Sequence, residues 1–461
     1  MSPTTLSLIM HLQRINMKVL KFGGTSVGSV ESIRNVNTIS CAVDGKKLLV
    51  LSAMSGVTNE LVRITEIIAS GDAPGINMII GMLEIKHFDV IEELIENRLL
   101  QSETKHEIST ILSEIKENTK KEYSEEVYSR IVTAGERMLT MIYSKYLADC
   151  GIANHLLDAR EFMQVSNLEN PDTPLVGRNF ENTISSLSET DIYITQGFVR
   201  IDENNKINTL KRGGSDYTAT ILGAALNAEE VQIWTDIDGF HNNDPRYVQH
   251  THPIAELSFE EAAELAYFGA KILHPQTVSP VIHKNIPVYL KNTFTPLLQG
   301  TRISAKANGK GLKAISAKDD ITAIKIKSNR MLMAHGFLRK IFEVFDRHQT
   351  AIDMITTSEI AISLTIDDNR NLDEIIEEIN DYGEITVEKN HSIICLVGES
   401  VIEDKKASRI FELLHDTSIR MISYGGSNNN ISLLVDTSNK INVLQKLHQK
   451  VFEAKPVEEF V

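Results

Sequence analysis

From Lys18 to Thr301 the apolar positions come in short unbroken runs, each stopped by glycine or polar residues and followed by a stretch of helical spacing. Val19-Leu20, Leu48-Leu49-Val50-Leu51, Ile192-Tyr193-Ile194 and Val231-Gln232-Ile233-Trp234 read as buried strands. Across residues 76–121, Phe88, Ile91, Leu94 and Ile95, then Ile108, Ile111, Leu112 and Ile115, recur at helical intervals, which predicts a helical insertion with a solvated charged face. Alternating β and α of this kind predicts a parallel-rich sheet sandwiched by helices, an α/β domain whose ligands gather outside the carboxyl ends of its strands.

Beyond Thr301 the pattern changes to a repeat. Ile341-Phe342-Glu343 returns as Ile410-Phe411-Glu412, and Ile362-Ser363-Leu364 returns as Ile431-Ser432-Leu433, both displaced by 69 residues (410 − 341 and 431 − 362). Each copy reads strand, helix, two strands, helix, the ferredoxin-like order of an α+β module. The predicted division is a disordered tail over 1–16, with Met17 as a possible start, a catalytic domain over 17–301, and modules over 313–390 and 391–461. The second module's closing strand falls near Pro456. Residues 313–318 have no obvious partner in the first module; we expect them to pair into the second, with a linker strand as the alternative.

The chain has 461 residues, with 42% hydrophobic and 24% charged, ordinary values for a protein able to bury a sizeable core. Its net charge of −15 disfavours nucleic-acid or acidic-membrane partners, so an anionic substrate must be held by a few local cations. Three scattered cysteines, Cys41, Cys150 and Cys395, suggest neither a disulfide framework nor a zinc site, and buried free thiols in a reducing cytoplasm are expected. No apolar run is long enough to span a membrane, and the first residues lack the basic flank and cleavage signal of a secretory leader.

Candidate chemistry sits at the strand ends. Lys21-Phe22-Gly23-Gly24-Thr25-Ser26 joins a strand to a helix through a glycine turn, which suits an anion cradle and equally a plain structural turn. Lys21 precedes the glycines, so the P-loop order fails, and G-x-G-x-x-G fails too. Arg212-Gly213-Gly214-Ser215-Asp216 opens another helix, where a guanidinium can grip a carboxylate and Asp216 can position a lysine or a metal; a helix cap is the bland alternative. Thr235-Asp236, then Asp244-Pro245-Arg246, then Gly269-Ala270-Lys271-Ile272-Leu273-His274-Pro275 add polar turns and two cations. Ser52 to Thr58 supply hydroxyls on a small-residue loop, and Gly135-Glu136-Arg137 places a carboxylate that suits an ammonium.

In order and in spelling these segments resemble the aspartokinases of the amino-acid kinase superfamily, and the repeat resembles tandem ACT modules, together covering residues 17–461. The resemblance implies ATP-dependent phosphorylation of the β-carboxylate of L-aspartate. It implies Lys21 and Asp216 as catalytic residues, and Lys21, Gly23, Gly24, Thr235, Asp236, His241, Arg246, Lys271 and Ile272 around ATP, with His241 standing where relatives often have tyrosine. It places aspartate on Ser52, Thr58, Glu136, Arg212 and Ser215. Mg²⁺ is expected on ATP oxygens and water, with no ligand set from the protein alone.

Asp353 and Glu359 align at the 69-residue offset with Ile422 and Asn428, so only the first module offers two carboxylates, and lysine fits there better than threonine. The resemblance adds Met331, Phe337, Leu338, Thr357 and Ser358 to that inhibitor pocket, and implies a homodimer or larger assembly through the ACT modules. A catalytically dead amino-acid sensor and a kinase for glutamate or acetylglutamate are the alternatives; a fused homoserine dehydrogenase is not expected.

Overall fold

The computed structural model describes residues 17–71, 75–211, 213–269, 273, 275–328, 335–404 and 409–453. The tail over 1–16 and the strand expected near Pro456 lie outside the described residues. Two compact units emerge: one runs to Gly239 and resumes over Leu273–Ala307, the other comprises Phe240–Ile272 and Asn308–Val461.

In the first unit, β1 (Met17–Phe22), β2 (Lys46–Leu51), β3 (His155–Leu157), β4 (Ile192–Gln196), β5 (Val231–Thr235), β6 (Val288–Asn292) and β7 (Thr301–Ser304) lie in the order β3-β4-β2-β1-β5-β6-β7. All neighbours are parallel except β6 and β7. β1 and β2 are buried on both faces, with consecutive apolar residues Val19-Leu20 and Leu48 to Leu51, as a helix-covered parallel sheet requires. Because β4, β2, β1 and β5 are parallel neighbours, the loops after Gln196, Leu51, Phe22 and Thr235 emerge side by side at one edge.

Helices α1 (Val30–Ala42), α2 (Val57–Ser70), α3 (Ile76–Leu94), α4 (Arg98–Asn118), α5 (Glu125–Val132) and α6 (Ala134–Asp149) share one apolar core that includes Phe22, Ile33, Leu61, Leu83, Ile111 and Leu139. The expected helical insertion is therefore a packed part of this unit. Ser29, Asn97 and Ser124 cap α1, α4 and α5 through side-chain oxygens, each contributing about 1 kcal/mol.

In the second unit, β8 (Gly311–Lys327), β9 (Ile355–Thr357), β10 (Ala361–Ile366), β11 (Glu384–Glu399), β12 (Ile419–Ser427) and β13 (Asn430–Asp436) form an antiparallel sheet in the order β9-β10-β8-β11-β13-β12. β8 serves two modules. Ser316 stands opposite Cys395 in the second repeat, whereas Ile324 stands opposite Leu364 in the first, and the register shifts between Lys318 and Ile321, where Asp320 has φ 62°. Each repeat closes its own apolar core, one around Ile324, Ile341 and Leu364, the other around Ile315, Ile394, Leu433 and Leu444. The segment 240–272 joins the latter through Val248, and Glu261 of its helix Phe259–Tyr267 pairs with Lys313 at 2.9 Å.

All three cysteines are free, but only Cys395 is buried; Cys41 and Cys150, expected inside, sit exposed at the last turn of α1 and just past the end of α6. Helical spacing left those two positions on the solvent side. Among the described residues no helix is long and apolar enough to cross a membrane.

Candidate active site

The turn after β1 is anchored to the end of β5. Gly23 donates its N–H to the Trp234 carbonyl at 3.1 Å, Phe22 stacks on the Trp234 ring at 5.9 Å, and Ser26 Oγ lies 2.7 Å from Thr293 Oγ1. A turn tied at both ends holds its N–H groups in place for an anion without further ordering cost.

Helix α7 (Gly214–Ala225) starts beside it. Its N-cap Gly213 has φ 69°, a left-handed conformation that costs an L-residue roughly 1 kcal/mol. In the first turn Asp216 meets Lys21, Oδ1 to Nζ 2.6 Å, with side chains only 15% and 10% exposed. The carboxylate fixes the direction of the ammonium, and the positive end of α7 points to the same space.

On the other side, α6 packs against the loop from Ser52 to Gly56. A Cβ on Gly135 would approach Ala53 Cβ to 2.8 Å, so glycine allows the helix this close. Glu136, in the first turn of α6, is thereby buried to 3% exposure. Its Oε1 accepts the Ala53 N–H at 3.3 Å, while Oε2 has no partner among the described residues. Loss of hydration pushes its carboxyl up to about 7, since no cation among the described residues pairs with it.

These elements enclose a cavity of about 490 Å³. Of the residues singled out from sequence, Lys21, Gly23, Gly24, Ser52, Thr58, Glu136, Ser215, Asp216, Thr235 and Asp236 all line it. Thr235 Oγ1 donates to Asp236 Oδ1 at 3.0 Å, and Asn292 holds the Asp236 carbonyl at 3.2 Å. Arg212, Lys271, Ile272 and Met331 lie outside the described residues. His241 and Arg246 belong to the second unit, where Arg246 forks onto Asp244 at 2.6 Å and His241 Nδ1 lies 3.1 Å from Thr251 Oγ1.

Lining residues not foreseen include Asn59, Phe198 and Lys211. Phe198 and Lys211 both take left-handed φ, 70° and 59°, rare for non-glycine residues. The stop of β4 at Gln196-Gly197-Phe198 is a usable signal for Phe198, since the turn after β1, the Ser52 loop and Thr235-Asp236 also sit at strand ends. Nothing in the sequence marked Asn59.

The carboxylates of the first repeat differ from expectation at one point. Asp353 is not free to meet a ligand's ammonium: its Oδ1 already accepts from Lys318 Nζ at 2.6 Å and from the Tyr267 hydroxyl at 2.7 Å, with the carboxylate fully buried. The physical reason is Lys318, which stands just before the register shift in β8 and pairs with both Asp353 and Asp367, the latter at 2.8 Å. Thr357, Ser358 and Glu359 are exposed at the edge strand, Ser358 Oγ accepts the Ala361 N–H at 3.1 Å, Phe337 packs edge-on to Tyr382, and Leu338 is 40% exposed.

The chain matches the model of the amino acid kinase family over residues 16–292 and an ACT domain model over residues 394–451. It is 32% identical over 455 residues to lysine-sensitive aspartokinase 3 of Escherichia coli, covering 94% of this chain and 99% of that one. It is also 32% identical over 471 residues to chloroplastic aspartokinase 1 of Arabidopsis thaliana, 96% of this chain and 81% of that one. Its fold superposes on E. coli aspartokinase III in complex with aspartate and ADP with TM-score 0.81 at 31% identity, over 95% of this chain and 100% of that one. For that enzyme with lysine and aspartate the TM-score is 0.79, at the same identity and coverage.

Proposed function

This chain belongs to the aspartokinases of the amino acid kinase family, and from that premise we propose that it transfers the γ-phosphoryl group of ATP to the β-carboxylate of L-aspartate, giving 4-phospho-L-aspartate and ADP. The product opens the route to lysine, threonine and methionine. One observation carries the reading: the Lys21–Asp216 pair and the buried, unpaired Glu136 carboxylate line the same cavity.

An aspartate bound there gives Glu136 the cation it lacks, through its ammonium. Arg212 takes the α-carboxylate, Ser52, Thr58 and Ser215 give hydroxyls, and the β-carboxylate is left facing the nucleotide. That nucleophile is ionised at neutral pH, so no base is needed. Asp216 orients Lys21, whose ammonium, with the Gly23-Gly24 turn, the N-terminus of α7 and Lys271, stabilises charge on the moving phosphoryl group. Thr235, Asp236, His241, Arg246 and Ile272 complete the nucleotide site.

Mg²⁺ supplies further charge neutralisation when bound. Asp216 is committed to Lys21, and the ion would be held by phosphate oxygens and water.

Lysine is the inhibitor we assign to the first ACT module, on Glu359, Thr357, Ser358, Phe337, Leu338 and Met331. Because Lys318 occupies Asp353, the side-chain ammonium of the ligand falls to Glu359. A cytoplasmic homodimer or larger assembly completes the reading. A coupled ADP-release assay with an amino-acid panel tests it. ADP should appear with aspartate and not with glutamate or N-acetylglutamate, and lysine rather than threonine should suppress it. Equal turnover of glutamate, or none with any acceptor, defeats the proposal.

A further inference from the structure

The ionisable residues lining the cavity of the first unit are Lys21, Glu136, Lys211, Asp216 and Asp236. Lys21 and Asp216 neutralise each other at 2.6 Å, and Asp236 accepts the Thr235 hydroxyl at 3.0 Å. Lys211 differs from them: its side chain is exposed, and no acceptor among the described residues meets its ammonium. Among the described lining residues it is the cation left unspent.

Its backbone is held where glycine would be expected. Lys211 has φ 59°, a left-handed conformation that glycine takes freely and lysine does not. Just before it, Leu210 donates its N–H to the Phe198 carbonyl at 2.9 Å, closing the hairpin of Val199–Ile201 and Ile207–Thr209 at its base. Just after it, Gly214 starts α7 so close to that base that a Cβ there would come within 2.4 Å of Phe198 Cδ2 and 3.3 Å of Leu210 Cβ. A strained residue fixed from both sides, whose charge is answered by nothing among the described residues, points to a ligand for that charge.

The sheet order says which ligand. Because the strands lie β4-β2-β1-β5, their end loops follow one another in that order along the rim. Phe198, just past β4, pins Lys211 at one end, whereas Thr235 closes β5 three strand spacings away, about 14 Å. The Ser52 loop, after β2, is the nearest neighbour of the β4 end, and Glu136 is tied to it through the Ala53 N–H. An aspartate whose ammonium meets Glu136 carries its α-carboxylate on the same carbon, at the β4–β2 end. Its β-carboxylate extends toward Lys21 on β1.

We propose that Lys211 is a specificity-determining residue of the acceptor site: its ammonium pairs with the α-carboxylate of the aspartate whose own ammonium sits on Glu136. The inference rests on the assignment of this cavity to aspartate phosphorylation.

The test is steady-state kinetics on the full chain. Lys211→Met should raise KM for aspartate roughly five-fold, the size of an exposed charge pair, and leave KM for ATP within about two-fold. Lys211→Arg should stay close to the parent. Lys211→Gly should raise KM for aspartate as Lys211→Met does, yet melt no lower than the parent, because glycine accepts the left-handed backbone; a merely structural lysine would not separate the two readouts. L-aspartate α-amide, which keeps the amine and the β-carboxylate, serves as second ligand, read as substrate or as competitive inhibitor. The parent should bind it more weakly than aspartate, and Lys211→Met should weaken it no further. An unchanged KM for aspartate in both Lys211→Met and Lys211→Gly overturns the inference, as does an equal loss for aspartate and its α-amide or a rise confined to ATP. Each of these leaves the functional reading standing. A parent that releases no ADP with aspartate defeats that reading, and the inference falls with it.

Discussion

Glu136 and Asp353 are both buried carboxylates with their acid pushed upward by lost hydration, yet the molecule treats them in opposite ways. Asp353 is answered at Oδ1 from within the chain, by Lys318 at 2.6 Å and the Tyr267 hydroxyl at 2.7 Å, although its Oδ2, like Glu136 Oε2, has no hydrogen-bond partner among the described residues. Glu136 receives a single backbone N–H, and its Oε2 has no partner among the described residues. What separates the two is the cation: a buried carboxylate paired with a lysine is part of the scaffold, whereas one without a cation among the described residues is free energy held back until a ligand brings it.

The contrast breaks most visibly at Glu136. Glu136→Gln should lower kcat/KM for aspartate by roughly 10²–10³-fold, on the order of 3–4 kcal/mol, since the ammonium loses its ionised partner. The same variant should be more stable than the parent without substrate, a gain that a structural carboxylate would not show. Initial-rate kinetics and thermal melts on the same samples read both.

The pH dependence sharpens it. The unfolded chain ionises this glutamate near 4.5, whereas the ligand-free fold keeps the proton to about 7, so the native state binds more protons between those values. Stability must therefore fall as pH rises from 4.5 to 7 and level off above, by roughly 3 kcal/mol from this one group. Denaturant titrations of parent and Glu136→Gln should show that difference. KM for aspartate should fall as pH rises toward 7 and then flatten, because the ammonium needs the ionised carboxylate.

At Asp353 the expected change is in the fold. Lys318→Met should destabilise by roughly 2–3 kcal/mol, short of a fully buried pair broken outright because Tyr267 remains. Adding Asp353→Asn should recover part of the loss, a coupling that a double-mutant cycle measures. Tyr267→Phe should cost about 1 kcal/mol. Smallest for stability is Glu359→Ala, which should leave the melting temperature unmoved and relieve inhibition by lysine; undiminished inhibition would remove Glu359 from the effector site.

Much of this was legible in the residues. Strand runs follow from unbroken apolar stretches, the helical insertion from a period of 3.6 and the 69-residue repeat from recurrence, which are local properties. The glycine turn after β1, the Ser52 loop after β2 and Thr235-Asp236 at the end of β5 could be read because each sits at a strand end and parallel neighbours bring such ends together, whereas Glu136 opens a helix that follows another helix. Phe198 and Asn59 escaped, the first because an apolar residue just past a strand end carries no polar marker, the second because a polar residue in the first turn of α2 looks like any solvated position.

Sequence by itself determined the order of elements, the two α+β repeats and the set of charged loops, since each depends on neighbours a few residues away. Only the tertiary structure decided which charges are already spent. Lys318 reaches Asp353, Lys21 reaches Asp216, and Glu136 is left without a cation among the described residues, because a buried charge is neutralised by whatever the fold brings within 3 Å or so, and chain separation says nothing about that distance. For the same reason the tertiary contacts, and not the chain order, grouped residues 240–272 with the C-terminal modules.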